Sequence, residues 1–326
     1  MLRILADGRF YSGERLGGAL GISRAGVWKN LRQLRSRGVE LHSVPGRGYR
    51  LAAPLELLDA DAIRAGLPPA IRRRIPRIEI HYEVDSTNSE CLRRAAELPT
   101  GTVCLAESQG AGRGRLNRRW VTACARNLSL SLLWRFSRGP DALAGLGLVI
   151  GLAVLRAVDD IGAEDVGLKW PNDLWWRASK LAGSLIELSG ESGGAACAVI
   201  GIGINVDMSG AAAEAIDQPW TDLLAICGTR MSRNRLAASL VCQLVEALTR
   251  FEAAGIEAFI AEWKQRDMLR GKSVSVHTPA GEDRGTARGI DAGGALLVEV
   301  GGRLRRYLAG DVSVRSTGMP RDAAHA

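Results

Sequence analysis

Histidine is nearly absent: four occur in 326 residues, none at a metal-ligand spacing. Histidine-based nucleophilic catalysis and a zinc site are therefore poorly supported. Cysteine is sparse too. The six (Cys91, Cys104, Cys124, Cys197, Cys227, Cys242) are widely spaced and form no CxxC. They read as reduced, mostly buried thiols of a cytoplasmic protein. No apolar run approaches the roughly 18 residues of a membrane span, and the N-terminus has no signal-type apolar stretch, so no membrane role is expected. Walker A is missing. Gly112-x-Gly114 lacks the third glycine of a dinucleotide fingerprint, and Gly201-x-Gly203 lies inside a strand pattern, where glycine marks a close approach of backbone or ligand.

Acidic residues are scarce at one end. Residues 1–77 hold fifteen Arg/Lys against six Asp/Glu, a net +9, while the whole chain carries +8. A basic module on a near-neutral body points to a polyanionic partner for that end. The composition of the whole chain is ordinary for a soluble protein, 46% hydrophobic and 24% charged, and the length predicts two or three domains.

Within the basic module, Glu14–Leu20 reads as a short helix stopped by Gly21. Ser23 is an N-cap for a second helix to about Arg37, with Val27, Leu31 and Leu34 as its buried stripe. Its other face holds Arg24, Lys29, Asn30, Arg32, Gln33 and Arg35. Val39–Val44 and Tyr49–Leu51 read as strands joined at Pro45-Gly46-Arg47-Gly48. This is the pattern of a winged helix-turn-helix, whose second helix enters the major groove. Ser23, Arg24, Lys29, Asn30, Arg32, Gln33 and the wing-tip Arg47 are the candidate DNA contacts. A small protein-interaction domain is the competing reading. Leu55–Leu67 is expected as a helix, followed by a proline- and arginine-rich join.

The central region carries more strands than helices, joined in several places by hairpin-type turns. The fold class expected is α+β with a mixed, mostly antiparallel sheet. Asn127–Trp134 alternates as a half-buried strand, Ala142–Val158 is a long apolar helix, and Ala196–Val206 is an apolar strand. Gly110–Trp120 packs three glycines and four arginines into eleven residues. It is either a clamp on an anionic ligand or a solvated loop. Ser86-Thr87-Asn88 at a strand-to-helix turn either caps the helix or binds a polar ligand.

Ser86-Thr87-Asn88, Gln109, Gly112-Arg113-Gly114-Arg115, Lys169-Trp170-Pro171-Asn172-Asp173 and Lys180-Leu181-Ala182-Gly183 fall in the order and spacing of biotin protein ligases. With the winged helix, the whole resembles the bifunctional bacterial type that also represses the biotin operon. The resemblance runs from about Leu2 to Ser316. It implies an N-terminal winged helix over 1–62, a ligase domain like that of class II aminoacyl-tRNA synthetases over 63–269, an SH3-like small β-barrel over 270–318 and a disordered tail over 319–326.

The implied reaction forms biotinyl-5′-AMP and pyrophosphate from biotin and ATP, with Mg²⁺. The biotinyl group then passes to a lysine of the biotin carboxyl carrier protein of acetyl-CoA carboxylase. By the family pattern Ser86, Thr87, Asn88 and Gln109 hold the biotin head, and Gly112, Arg113, Gly114 and Arg115 close over its carboxylate and the adenylate phosphate. Lys180, beside Gly183, contacts the acyl-phosphate, with Lys180 and Arg115 as the catalytic pair. Lys169, Trp170, Asn172, Asp173, Asn205 and Trp220 lie toward the nucleotide, with 208–219 as a loop ordering over adenine. Mg²⁺ would arrive on ATP with no dedicated site. The adenylate-bound homodimer would bind operator DNA of biotin genes. After Arg115 the sequence Leu116-Asn117-Arg118-Arg119 departs from relatives that keep a further glycine or basic residue, implying a stiffer loop. The alternatives are a biotin sensor without ligase activity and a lipoate or octanoyl ligase. Lys180 and both loop arginines argue against the first, and the Ser-Thr-Asn turn against the second.

Overall fold

The structure, a computed structural model, describes residues 1–190, 194–208, 216–278, 281–308 and 313–316. The N-terminal unit comprises α1 (Leu2–Leu5), α2 (Gly13–Leu20), α3 (Arg24–Ser36) and the hairpin β1 (Leu41–Val44)–β2 (Gly48–Leu51). The Ser12 and Ser23 hydroxyls accept from the Arg15 and Gly26 amides, and Gly21 ends α2 in the left-handed region at φ 63°. Val27, Leu31 and Leu34 are buried as the helical periodicity requires. Their core includes Cys124 and Ala125, which come from the central unit and follow the Gly-Arg loop.

The join differs from expectation. Only α4 (Ala60–Ala65) is helical, capped by Asp59, and α5 (Pro69–Arg74) follows. Residues 54–58 stay outside any helix because their polar groups are engaged by α9 (Arg233–Ala254). Glu56 accepts from the Ser232 hydroxyl at 2.6 Å and the Arg233 amide at 2.5 Å, and the Leu57 carbonyl accepts from Asn234 at 3.0 Å.

The central unit is a seven-stranded sheet in the order β3-β4-β5-β9-β8-β7-β6. These are Arg77–Val84, Thr102–Gln109, Asn127–Phe136, Ala196–Asn205, Ser179–Gly190, Asp173–Trp176 and Val166–Lys169. Only β3 and β4 pair in parallel; the other neighbours are antiparallel. One face carries α7 (Leu146–Asp159) and α9, packed on each other and on the sheet. α7 is apolar nearly all round and has to be covered on both sides. The short α6 (Thr87–Arg93) lies against β4, β5 and β9. α8 (Leu223–Cys227) and α10 (Glu257–Gln265) complete the helices named here.

β5 corrects the expectation of a half-buried strand: nine of its ten residues are buried, Ser129 and Ser131 among them. The polar row of its alternation faces other protein groups instead of water. The C-terminal unit is an antiparallel sheet in the order β13-β12-β11-β10-β14 (Arg303–Tyr307, Leu296–Val300, Gly281–Ile290, Ser273–Thr278, Ser313–Ser316). It shares the central hydrophobic core through Val274, Val276, Ala287 and Leu296. The expected disordered tail at 319–326 lies outside the described residues, as does 209–215 of the expected adenine loop.

Candidate functional site: a polar trough closed by a basic hairpin

The site lies where α6 crosses β4, β5, β8 and β9. Ser86 stands at the N-cap position of α6 but makes no capping hydrogen bond. Instead the Thr87 amide donates to Gln109 Oε1 at 2.8 Å, and Thr87 Oγ1 lies 3.2 Å from the same oxygen. Gln109 Nε2 donates to Ser129 Oγ at 3.2 Å. Ser131 Oγ is 2.8 Å from Thr87 Oγ1 and 2.6 Å from Asn88 Oδ1. Asn88 Nδ2 donates to Glu187 Oε2 at 2.8 Å. Ser86, Thr87, Asn88, Ser129 and Ser131 are all buried. Such a network of mostly neutral donors and acceptors, with the Glu187 carboxylate at its margin, is the equipment for holding a small polar group.

Two strand glycines make room for it. A Cβ at Gly201 would sit 2.2 Å from Asn88 Oδ1, and one at Gly203 would sit 2.3 Å from the Trp120 ring. The close approach expected of them is therefore to Asn88 and to the indole. Trp120 Nε1 is buried with no hydrogen-bond partner.

The Gly-Arg stretch is a hairpin, not an open loop. The Gly114 amide donates to the Arg118 carbonyl at 2.7 Å and the Trp120 amide to the Gly112 carbonyl at 2.8 Å. Leu116 turns the tip in the left-handed region at φ 56°. Its base is tied to the end of β3 by Gly110 N to Val84 O and Ala111 N to Asp85 O. A Cβ at Gly112 would lie 2.6 Å from the Trp120 carbonyl, so this glycine serves the hairpin's own crossing. Arg113 lies 3.0 Å from Glu187 and Arg115 donates to Asn172 Oδ1 at 3.3 Å.

At the far end, Lys180 Nζ meets Asp173 Oδ1 at 2.9 Å and lies 5.7 Å from the centre of the Trp120 ring. A side chain at Gly183, opposite Asp173 in the register, would come within 3.2 Å of both charged groups. Lys180 bridges in parallel to Trp220, placing that residue beside it. Asn205 Nδ2 donates to the Thr221 carbonyl at 3.0 Å, and Asn127 Nδ2 to Asn205 Oδ1 at 3.1 Å. Asn172 Nδ2 donates to the Ser184 carbonyl. Ser86, Thr87, Asn88, Gln109, Arg113, Arg115, Asn172, Asp173, Lys180, Gly183, Asn205 and Trp220 thus gather around one trough. Trp170 stands apart. It is buried in the core, and its indole donates to the Gly294 carbonyl of the C-terminal unit at 3.0 Å. Lys169 stacks its ammonium 3.8 Å from the centre of the Trp175 ring.

Three participants went unnoticed in the sequence: Ser129, Ser131 and Glu187. The first two had a signal, since the polar row Asn127, Ser129, Ser131 of β5 pairs with Asn205, Gly203 and Gly201 of β9. Glu187 had none. Among the described residues, no group of three His, Cys, Asp or Glu could hold a metal ion.

On the N-terminal unit Arg24, Lys29, Arg32 and Gln33 are exposed on α3. Ser23 is engaged as a cap, and Asn30 Nδ2 donates to the Gly26 carbonyl at 3.0 Å. Arg47 lies 4.3 Å over the Phe10 ring.

Comparison with known proteins covers all three units. Residues 81–205 match the biotin/lipoate A/B protein ligase family, 1–50 an HTH domain and 270–315 the biotin protein ligase C-terminal domain. The chain is 43% identical to the bifunctional ligase/repressor BirA of Salmonella typhimurium, over 97% of each chain. It is 41% identical to that of Escherichia coli, over 97% of this chain and 96% of the relative. A solved biotin protein ligase from Aquifex aeolicus, in complex with biotin and ATP, superposes with a TM-score of 0.66 at 28% identity, covering 74% of this chain and all of that one. With its trough, its basic hairpin and near-complete coverage by these relatives, the chain belongs to the biotin/lipoate A/B protein ligase family, alongside the bifunctional ligase/repressors.

Proposed function

We infer that this protein is an ATP-dependent biotin protein ligase that also acts as a DNA-binding repressor. The observation that carries the ligase reading is the continuity of one trough. Its buried end is polar, bordered by the Arg113–Glu187 ion pair, and its other end presents Arg115, Asn172, Asp173 and Lys180. The ureido ring of biotin suits Thr87, Asn88, Gln109 and Ser131. The unpartnered Trp120 indole is a donor in want of an acceptor.

With the ring held there, the biotin carboxylate reaches the cationic end. It attacks the α-phosphorus of ATP, forming an acyl–phosphate bond while the bond to pyrophosphate breaks. Two anions must meet, so the work is electrostatic: Lys180 and Arg115 offset the charge gathering on the phosphate oxygens. A carboxylate needs no general base. The hairpin, with Trp120 against Gly203, excludes water from the mixed anhydride. The amine of a carrier-protein lysine then attacks the acyl carbon and AMP leaves. Asn205 and Trp220, beside Lys180, face the nucleotide. Asp173 and Asn172 would offer oxygen ligands to Mg²⁺ carried by ATP, which would there neutralise phosphate charge.

The N-terminal unit brings a basic α3 and wing to operator DNA, and the adenylate-bound protein binds as a homodimer across two half-sites. The carrier is the biotin carboxyl carrier protein of acetyl-CoA carboxylase. Six unpaired cysteines fit a reducing, cytoplasmic setting.

Biotin-dependent exchange of pyrophosphate into ATP tests the ligase. Exchange is expected with biotin and not with lipoate or octanoate, and Lys180→Ala should lower it by about 10²–10³-fold with the circular dichroism unchanged. Exchange with lipoate alone would transfer the protein to the lipoate side of its family. Unaltered turnover in the variant would remove Lys180 from the chemistry.

A further inference from the structure

Trp28 is 57% exposed, and among the described residues it is the only tryptophan in the exposed large hydrophobic set. It lies in the second turn of α3, next to the buried Val27, with Arg24 one turn before it and Arg32 one turn after. The Arg32 guanidinium lies 5.4 Å over its ring. Leaving so large an apolar surface in water is unfavourable, and nothing among the described residues buries it further. Both arginines flanking it are exposed, and the module around it carries the chain's excess positive charge. The surface that covers this stripe is therefore polyanionic, with something apolar at its centre.

On a DNA duplex, the major groove offers one apolar projection, the C5-methyl group of thymine. A helix-turn-helix reads the groove from the early turns of its second helix, which is where Trp28 sits. We propose that Trp28 is a specificity-determining residue that packs on a thymine methyl in the operator, with Arg32 held by its ring beside the same base step. The inference rests on the DNA-binding reading above and deepens it. It distinguishes Trp28 from Arg24, Lys29 and Arg32, whose charge favours any duplex.

The probe is the tightest duplex selected from a random-sequence pool by the full-length protein with biotin, ATP and Mg²⁺. Each thymine is then replaced by deoxyuridine, which removes only the methyl group. Wild-type protein should lose about fourfold in affinity per contacted methyl, the equivalent of one buried carbon. Trp28→Ala should bind the selected duplex more weakly and bind the thymine and uracil versions equally. Trp28→Phe should keep part of the difference. Transfer of biotin to the carrier should be unchanged in both variants, which checks that they fold. Uracil scanning that leaves wild-type affinity unchanged would overturn the inference, as would Trp28→Ala that keeps the full thymine preference. Loss of self-association in Trp28→Ala, with thymine preference intact, would overturn it in favour of a protein partner. Failure of wild-type protein to select any duplex would instead overturn the DNA-binding reading and this inference with it.

Discussion

Replacing Arg233 with methionine tests the clasp that ties the N-terminal join to the ligand-binding sheet. Arg233 is 3% exposed. Its guanidinium forms an ion pair with Glu107 at 2.8 Å and donates to the Asn127 carbonyl at 3.2 Å and to the Glu56 carbonyl. Glu107 lies two residues before Gln109, and its other oxygen accepts from the Leu58 amide at 2.6 Å. The substitution leaves a buried carboxylate with that one donor. Breaking a buried pair from one side costs about 3–5 kcal/mol. The two carbonyls add up to about 1 kcal/mol each where water cannot reach them. Methionine keeps the apolar stem packed and returns part of this. A net loss of about 4 kcal/mol is expected, a large share of the roughly 5–15 kcal/mol that holds a folded domain together.

Urea unfolding followed by far-ultraviolet circular dichroism measures it. With a slope of about 2 kcal/mol/M, the midpoint should fall by about 2 M. Most of the loss should be recovered in Arg233→Met combined with Glu107→Leu, because the unpaired charge disappears with its partner. A loss below about 1 kcal/mol, or a double variant no better than the sum of the singles, would refute the electrostatic account.

Gly201→Ala drives a methyl group onto Asn88 Oδ1, so kcat/KM for biotin in the exchange assay should fall about 5–150-fold while the fold persists; a wild-type value would mean that Asn88 does not touch biotin. Glu187→Gln removes the carboxylate that holds Arg113, and trypsin should then cut the ligand-free hairpin up to about fivefold faster, with equal rates disproving the latch. The Arg94 guanidinium, donating to Glu79 at 2.8 and 3.0 Å, holds that carboxyl below its ordinary value. The stability it gives is complete above the unfolded carboxylate value and is lost as pH falls through the lower, folded value. Melting temperatures below about pH 5 should therefore drop more steeply in the wild type than in Glu79→Gln, and parallel curves would rule the pair out.

Local signals in the sequence were sufficient for several helix ends. Ser23 and Gly21 mark helix ends by hydrogen-bonding and φ requirements that depend on a few neighbouring residues, and the structure uses them so. The Leu55–Leu67 expectation failed for a non-local reason. Arg233, Ser232 and Asn234 engage Glu56 and Leu57 from some 175 positions away, and no helical period in 55–59 could report that. The β5 error is of the same kind. Alternation in Asn127–Trp134 revealed two unlike faces, but it could not say whether the polar face meets water or other polar groups.

That error is where the site was hidden. Ser129 and Ser131 are polar because they face Gln109, Thr87 and Asn88, so a strand that looks half-solvated is a wall of the trough. The glycine pairs are explained by the same wall. Gly201 and Gly203 were legible as close approaches, yet what approaches them, Asn88 and Trp120, comes from α6 and from the hairpin. The hairpin shows the limit most clearly. Its arginines, by composition alone, fit an anion clamp and a solvated loop alike. Its continuation, Cys124-Ala125, lies in the hydrophobic core of the DNA-binding unit, and the Ala125 amide donates to the Glu107 carbonyl. A segment that closes one end of the trough is therefore packed, within a few residues, against the helices that would meet DNA. No motif marks Cys124 or Ala125. Only packing reveals that the residues following the hairpin belong to the core of the winged helix, and any movement of Cys124 or Ala125 must be accommodated around Leu2, Leu31 and Leu51.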